Sequence, residues 1–540
     1  MASLTFEKKE VEKHITLDQK TIEKIQLLGI PIEVSEDKVE IDVLPNRPDL
    51  LSLQGFLRAV KCYLGKPQKK YLIHKPEKNY KVFVDSSVKK VRPYTACAVV
   101  KNLNFNDENI KSIIEIQEKL HITLGRNRKK MAIGIYPLEK IKMPIFYKAL
   151  PPEKISFQPL EFKIVMSAKE ILTQHPTGIE YAHLLKDFSK YPIFIDSANQ
   201  ILSMPPIINS ELTGKVTEKT KEVFIECSGF NQEILLKTIN IIVTALADLG
   251  GEIYSVEIID SKKKKIISPN LKPQEMSLSL ENVNKLLGLS LKEKELEKLL
   301  PRMGHTYKKG KVLIPAWRTD ILHEVDLIEE VAIAYGYDKL VPELPNLSTI
   351  AEESKESKLK NKIAELLIGL DFLQISSYHL IKENEQKYSA EKISVANSKT
   401  DYKYLRTSLL IPFLRTFAEN KDAEYPQKIF ETGVVFSKKE DGQIKEKNSL
   451  AIAISPGNST SIKQILDYLS KLLDFSYTLK EKSDPYFIEG RTFAILINGK
   501  EVGYFGELHP ETLLKWNIKM PVSFLECSPE SFIQNKISLS

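Results

Sequence analysis

Residues 314–340, IPAWRTDILHEVDLIEEVAIAYGYDKL, place five acids within eleven positions: Asp320, Glu324, Asp326, Glu329 and Glu330. Asp326, Glu329 and Glu330 stand at i, i+3 and i+4, where like charges on a helix repel by about a few tenths of a kcal/mol per pair. At 100° per residue, Ile328, Val331, Ala332 and Tyr335 point one way, and Asp326, Glu329 and Glu330 fall in an arc on the opposite side. Two chemistries suit this pattern. Acids in a first turn complement the helix macrodipole, and clustered carboxylate oxygens suit a hard cation such as Mg²⁺. Asp320, just upstream, can fold back over the same cluster.

Other catalytic signatures are missing. Gly-x-Gly-x-x-Gly, the Walker loop, Gly-x-Ser-x-Gly and His-Glu-x-x-His do not occur. The nine histidines are isolated in sequence. Cys62, Cys97, Cys227 and Cys527 are scattered without a C-x-x-C pair, which argues against zinc and a disulfide framework and fits a reducing cytoplasm.

With 540 residues the chain exceeds a single core, and 42% apolar with 28% charged residues is ordinary for globular protein. The polar start, MASLTFEKKEVEKH, is not expected to act as a signal peptide. No apolar run reaches the roughly 18 residues of a membrane span. Net charge is a mild +7, but Lys-rich stretches at 68–81, 126–130 (RNRKK) and 262–265 (KKKK) could face phosphate.

The elements divide the chain into four parts. Residues 1–85 read as a mixed α/β module with a helix at 21–30, a strand at 38–43, and a helix after Asp49, the expected N-cap, closed by Gly65. Residues 86–267 read as α/β. YTACAVV, MAIGIY and EVFIEC are strands, and NQEILLKTINIIVTALADL followed by EIYSVEI completes a β-α-β unit, with KKKK and Pro269 as the next boundary. Residues 268–345 hold two amphipathic helices, a strand and the acidic helix, and 346–540 a final α/β domain.

IPAWRTDILHEVDLIEEVAIAYGYDKL, followed by VPELP, resembles the signature of the phenylalanyl-tRNA synthetase beta-subunit family. IDVLPNRPDLLSLQGFLRAVKCYLG resembles that family's N-terminal domain, GRNRKKMAIGIYPLEKI the start of its tRNA-proofreading domain, and GRTFAILINGKEVGYFGELHPETLLKWNI its C-terminal domain. The compact length points to the archaeal/eukaryotic type. The resemblance implies an α+β multidomain fold: an N-terminal mixed module, an α/β tRNA-editing domain, a small helical, winged-helix-like domain, and a C-terminal antiparallel-sheet domain of degenerate class II synthetase type. That last domain lacks the Phe-Arg-x-Glu pattern, with only Glu489-Gly490-Arg491 echoing the glycine-arginine motif. It implies a cytoplasmic assembly of two alpha and two beta subunits that attaches phenylalanine to tRNA(Phe). ATP is used on the alpha subunit, and Mg²⁺ shared with it is held at Asp320, Asp326, Glu329 and Glu330. Glu324 has no counterpart and is expected to be solvated.

By resemblance the proofreading site lies near PPIINSE and EVFIECSGFN: Asn209, Ser210, Glu211, Glu226 and Ser228. Glu226 and Ser228 alternate along a strand and share a side, and the helix start that follows could polarise an ester. After MAIGI the family usually continues His-Asp, where this chain has Tyr136 and Pro137. Competing functions are a free RNA-binding scaffold and a stand-alone trans-editing hydrolase; retention of both partner-facing domains favours the ligase subunit.

Overall fold

The computed structural model describes residues 2–344, 350–386, 388 and 391–532. The chain forms two compact units, divided after Leu344.

At the start of the first unit, Ala2–Glu7, Lys38–Val43 and Ile32–Val34 form a small antiparallel sheet with Lys38–Val43 in the middle. The helix Leu53–Tyr63 follows. Its N-cap is Ser52, whose hydroxyl accepts from the Gly55 N–H, and Gly65 follows its C-cap at φ +90°. Asp49, expected to be the cap, is instead buried and receives both guanidinium bonds of Arg47 at 2.9 Å. The buried ion pair outcompetes the role that local sequence offers.

The centre of this unit is an eleven-stranded sheet. Val223–Gly229 and Glu252–Ile259 both run antiparallel to Tyr94–Lys101, which lies between them, so they are parallel to each other. The helix Gln232–Asp248 connects them as the β-α-β pattern predicts. Asn231 accepts from the Ile234 N–H to start it, and Gly250 at φ +98° follows its end. Its Leu235, Ile239, Ile242 and Leu246 are buried in one core with Ile225 and Cys227, each large aliphatic worth about 1.5–3 kcal/mol. Phe224 packs in a second core with Tyr136 and Tyr147. Consecutive residues of Val223–Gly229 thus serve opposite faces, as the two-residue strand repeat requires.

The two edges of this sheet are Met131–Pro137 and Ile208–Asn209. Tyr136 on one edge bonds Asn209 on the other, so the sheet curls until its edges meet. The KKKK run lies in a hairpin. It turns the chain between Glu252–Ile259 and Lys265–Ser268, which pair antiparallel.

Farther along, Gln274–Ser277, Lys311–Ile314 and Thr306–Lys308 make a three-stranded sheet. The helices Leu280–Leu287, Glu293–Arg302 and Glu324–Tyr335 share a core with it, built on Val283, Leu296, Leu300, Val312, Leu327 and Val331.

The second unit carries a seven-stranded sheet, antiparallel except where Leu373–Gln374 runs parallel to Gln427–Lys438. Along Ile444–Ser455, Leu450, Ile452 and Ile454 face a core with the helix Lys355–Ile368, while Ala451 and Ala453 face one with the helix Leu410–Glu419. Inside it, Arg406 is 1% exposed and donates to Glu431 at 3.0 Å and to the Val434 carbonyl at 2.8 Å. Among the described residues no helix is long and apolar enough to cross a membrane.

Candidate functional site

A cleft of about 440 Å³ opens in the first unit where the two sheet edges meet. Ile113, Ile133, Ile135, Pro206 and Ile208 make apolar wall, and Ser203, Asn209, Glu211 and Glu226 are among its polar lining.

Glu226 sits in the middle of Val223–Gly229, opposite Cys97 on one neighbouring strand and Gly134 on the other. It is 2% exposed. The hydroxyl of Tyr136 donates toward its Oε1 at 3.2 Å, while Oε2 has no hydrogen-bond partner. Burial raises its pKa to about 8, against the pull of Arg92 and of the Tyr136 and Ser228 hydroxyls. At neutral pH the carboxyl is therefore mostly protonated.

Tyr136, fully buried, also lies 2.8 Å from the Ser203 hydroxyl and 3.3 Å from Asn209 Oδ1. One phenol ties together three cleft groups from three strands. Gly134 makes this possible, because a Cβ there would stand 2.1 Å from Tyr136 Oη and 2.8 Å from Glu226 Oε1.

The other residues singled out from sequence divide. Asn209 lines the cleft, as does Glu211, whose carboxylate accepts from the Glu161 N–H at 2.9 Å and from Lys215 at 3.0 Å. Ser210 and Ser228 are not among the lining residues. Ser210 is buried and its N–H donates to the Leu202 carbonyl at 2.8 Å. Ser228 is occupied by Arg92, which donates to its hydroxyl at 3.3 Å and its carbonyl at 2.8 Å. The helix beyond is capped by Asn231.

Sequence reasoning missed Ser203, His121, His175 and Arg128. His121 Nε2 accepts from the Ile133 N–H at 2.8 Å, and burial pushes its pKa down. His175 is 3% exposed with Nδ1 unpartnered. Arg128 donates to the Ile207 carbonyl at 2.8 Å and Glu118 at 2.9 Å, and lies 4.4 Å over the Tyr181 ring. Only the RNRKK composition gave a hint, and only of surface charge.

The acidic run resolves differently. Arg318 is 6% exposed and grips Asp320 at 2.8 and 2.7 Å and Glu330 at 3.0 and 2.8 Å. His305 Nε2 lies 3.1 Å from the same Glu330 carboxylate. Burial alone would raise the Glu330 pKa, but the adjoining guanidinium prevails and holds it well below the carboxylate range. Asp326 accepts from the Leu322 and His323 N–H groups at 2.7 Å, closing the helix N-terminus. Glu329 is exposed.

Glu324 is a correction: far from being merely solvated, it accepts from the Ser279 N–H at 2.6 Å and Asn282 at 2.9 Å at the start of the Leu280–Leu287 helix. The arc opposite Ile328 is not at the surface throughout, since Glu330 is 5% exposed. Among the described residues no three His, Cys, Asp or Glu side chains group as a metal site. Two of the four acids are spent on Arg318, so the set does not fit an Mg²⁺ held by this chain alone.

Comparison with known proteins follows the same line. Residues 276–337 match the family model "tRNA synthetase B5 domain", and residues 340–528 match "Phenylalanyl tRNA synthetase beta chain CLM domain". The chain is 39% identical over 495 residues to the phenylalanine–tRNA ligase beta subunit of Pyrococcus abyssi, covering 89% of each. It is 38% identical over 544 residues to that of Archaeoglobus fulgidus, covering 97% of each. A crystal structure of an N-terminal fragment of the phenylalanyl-tRNA synthetase beta subunit from Pyrococcus horikoshii superposes with a TM-score of 0.58 at 37% identity, covering 62% of this chain and 99% of the fragment. The chain belongs to the phenylalanine–tRNA ligase beta-subunit family, and is thus a subunit of an aminoacyl-tRNA ligase.

Proposed function

We propose that this chain assembles with an alpha subunit, two of each, into a cytoplasmic enzyme that attaches phenylalanine to tRNA(Phe), and that its cleft hydrolyses tyrosyl-tRNA formed in error. ATP and Mg²⁺ belong to the activation chemistry on the alpha subunit. Toward such an ion this chain can offer the exposed Glu329 and half-buried Asp326, with the remaining oxygens coming from the partner. In the four-part organisation, residues 86–267 are the editing domain and 346–540 a class II-like scaffold.

The need for hydrolysis is physical. An apolar pocket built for phenylalanine rejects an analogue that merely adds a hydroxyl by only about 100-fold. Tyrosine is that analogue. The observation that carries the reading is Glu226: a buried carboxyl lining a cleft walled in part by Ile133, Ile135 and Ile208, with Oε2 lacking a partner. Leaving such an atom unmatched costs about 1–3 kcal/mol, and a phenol hydroxyl entering the cleft matches it. Phenylalanine has nothing to offer there. Glu226 thus orients the side chain of the misplaced amino acid, and Asn209, bridged to it through Tyr136, is the neighbouring polar group for the ester or an attacking water.

The test is deacylation of preformed tyrosyl-tRNA by the assembled enzyme. Glu226→Ala should lose most of this activity while the enzyme still charges phenylalanine. Clearance at the wild-type rate would remove the assignment.

A further inference from the structure

The large sheet of the first unit curls around a core that takes Val82, Val99, Tyr136, Tyr147, Phe194 and Phe224 from strands all round it. Its outer face is covered on two flanks and bare between them. On one flank the helix Gln232–Asp248 shares a core with Ile225, Cys227 and Ile253. On the other, Ala168 and Ile171 of the helix Ala168–Gln174 share a core with Ile193 and Ile195. Between the flanks run Lys81–Val84 and Ile145–Leu150, beside the end of Glu252–Ile259 and its hairpin partner Lys265–Ser268. Lys81–Val84 is the fifth of nine strands on the path from one sheet edge to the other. This strip therefore lies halfway round from the seam that makes the cleft.

Register lines up its side chains. Phe146 pairs with Phe83, Phe83 with Ile259, and Ile259 with Lys265. The next row is Lys81, Glu257 and Ile267. Their neighbours Val82, Ile145, Tyr147 and Ile258 point into the enclosed core, so the two-residue strand repeat sends this set outward. Phe146 is 38% exposed and Ile267 56%, while Phe83 and Ile259 are half-buried.

Lysines rim the apolar strip. Lys81 and Lys265 share Glu257, at 3.9 and 2.8 Å. Lys148 follows Phe146 on the same side of its strand, and Lys262, Lys263 and Lys264 are exposed in the hairpin turn. The Asp260 carboxylate is taken up by the Lys262 and Lys264 N–H groups, both at 2.8 Å, and that of Asp85 by the Ser87 N–H at 2.8 Å. Six lysines thus stand against three carboxylates, two of which are turned to backbone. Such a surface complements a partner that is anionic and carries apolar side chains.

Geometry narrows the partner further. Lys81–Val84 is hydrogen-bonded along both edges, so the partner brings side chains and not an added strand. The Phe83 and Phe146 rings stack on each other, with centroids 5.5 Å and planes 19° apart, and each has one face taken. Nucleic-acid bases stack on ring faces and find few here, whereas aliphatic side chains pack on ring edges and isoleucines alike. The row from Phe146 to Lys265 crosses three strand spacings of about 4.8 Å, about 14 Å in all, which is the length of about ten helical residues.

We propose that this strip docks an acidic amphipathic helix of a protein other than the alpha and beta subunits. The helix lies across the strands, with its apolar stripe on Phe83, Phe146, Ile259 and Ile267 and its carboxylates on the lysines.

The probe is a fluorescent synthetic helix of about 14 residues, leucine on one face and glutamate on the other, titrated against the assembled enzyme and followed by anisotropy. It should bind saturably, and less tightly as salt rises from about 50 to 200 mM. Phe146→Ser and Ile267→Ser should each raise Kd about tenfold, while Phe146→Leu keeps it. Lys262→Glu combined with Lys264→Glu should raise Kd and flatten the salt dependence. All these variants should charge tRNA with phenylalanine as wild type does, which reports on folding and assembly. Peptides with serine for leucine, or lysine for glutamate, should not bind. Absence of binding, or a Kd that the Phe146 and Ile267 variants leave unchanged, would overturn the proposal. Binding to the isolated chain but not to the assembled enzyme would overturn it in favour of the alpha subunit as occupant. An oligouridine that binds in place of the peptide and is weakened by the same variants would overturn it in favour of a nucleic-acid surface.

Discussion

The Tyr136 hydroxyl lies 3.2 Å from Glu226 Oε1 although the two residues are not cross-strand partners. Tyr136 pairs with Phe224, and Glu226 pairs with Gly134. The phenol therefore reaches diagonally across the bare backbone of Gly134, and its proton is available to a carboxylate that burial otherwise disfavours. Removing this donor in Tyr136→Phe should raise the Glu226 pKa above its present value of about 8. The limb of the deacylation pH profile that belongs to Glu226 then moves to higher pH, and in Glu226→Gln it disappears. A Tyr136→Phe enzyme that is slower but shows an unmoved limb would mean that the phenol only fills space.

The same carboxyl has a stability signature. Its folded pKa lies above the ordinary 4.5, so the folded state binds the proton more tightly than the unfolded chain does. That contribution is complete below about pH 4.5 and is lost as pH rises through about 8. Glu226→Gln should therefore unfold with a weaker pH dependence between these limits than wild type, measured by urea denaturation of the first unit's transition. Parallel curves for the two proteins would contradict the buried, neutral carboxyl.

Gly134→Ala tests the diagonal directly. The added methyl would stand 2.1 Å from Tyr136 Oη, and the ring is fully buried. Overpacking of this kind costs about 1–3 kcal/mol. The expected outcome is a lowered denaturation midpoint together with impaired tyrosyl-tRNA clearance, and an unchanged midpoint would show that the phenol can move aside.

Much of this arrangement was legible in sequence. EVFIEC reads as a strand from its β-branched and aromatic residues, and Glu226 was singled out through the family resemblance. Tyr136 was visible only as a departure from the family pattern; its role depends on the sheet curling edge to edge, which no local spacing encodes. The acidic run was legible only in part, for a related reason. Its repulsion is relieved by Arg318, by His305 and by the amide of Ser279, partners supplied by separate elements. Helical periodicity puts Asp326, Glu329 and Glu330 in one arc, but it cannot say which of them the loop residues His305 and Arg318 cover.

Activation of phenylalanine should require the partner. The second unit contains three arginines, and each is already ion-paired: Arg406 with Glu431, Arg415 with Glu385, and Arg491 with Glu507. A class II site needs arginines free to clamp ATP phosphates. Phenylalanine-dependent ATP–pyrophosphate exchange should therefore be absent from the isolated chain and appear on adding the alpha subunit. Exchange by the chain alone would refute this.

Glu329 and Glu330 are neighbours in sequence with opposite expectations. Glu330 is buried against Arg318 and His305, and its pKa is held low. Replacing it with alanine leaves a buried guanidinium with one carboxylate, Asp320, in place of two. Breaking buried pairs of this kind costs about 3–5 kcal/mol, and the remaining Asp320 contact favours the lower end. Glu329 is exposed, so Glu329→Ala should change stability by no more than about 0.5 kcal/mol. Because the Glu330 pKa is lowered, its contribution is present above the ordinary carboxylate range and fades as pH falls. The gap between Glu330→Ala and wild type should accordingly narrow in acid. Denaturation of both variants at neutral and acidic pH checks this. Equal stabilities for Glu329→Ala and Glu330→Ala at neutral pH would mean that both acids face solvent, and would return the helix to the role of a free carboxylate cluster.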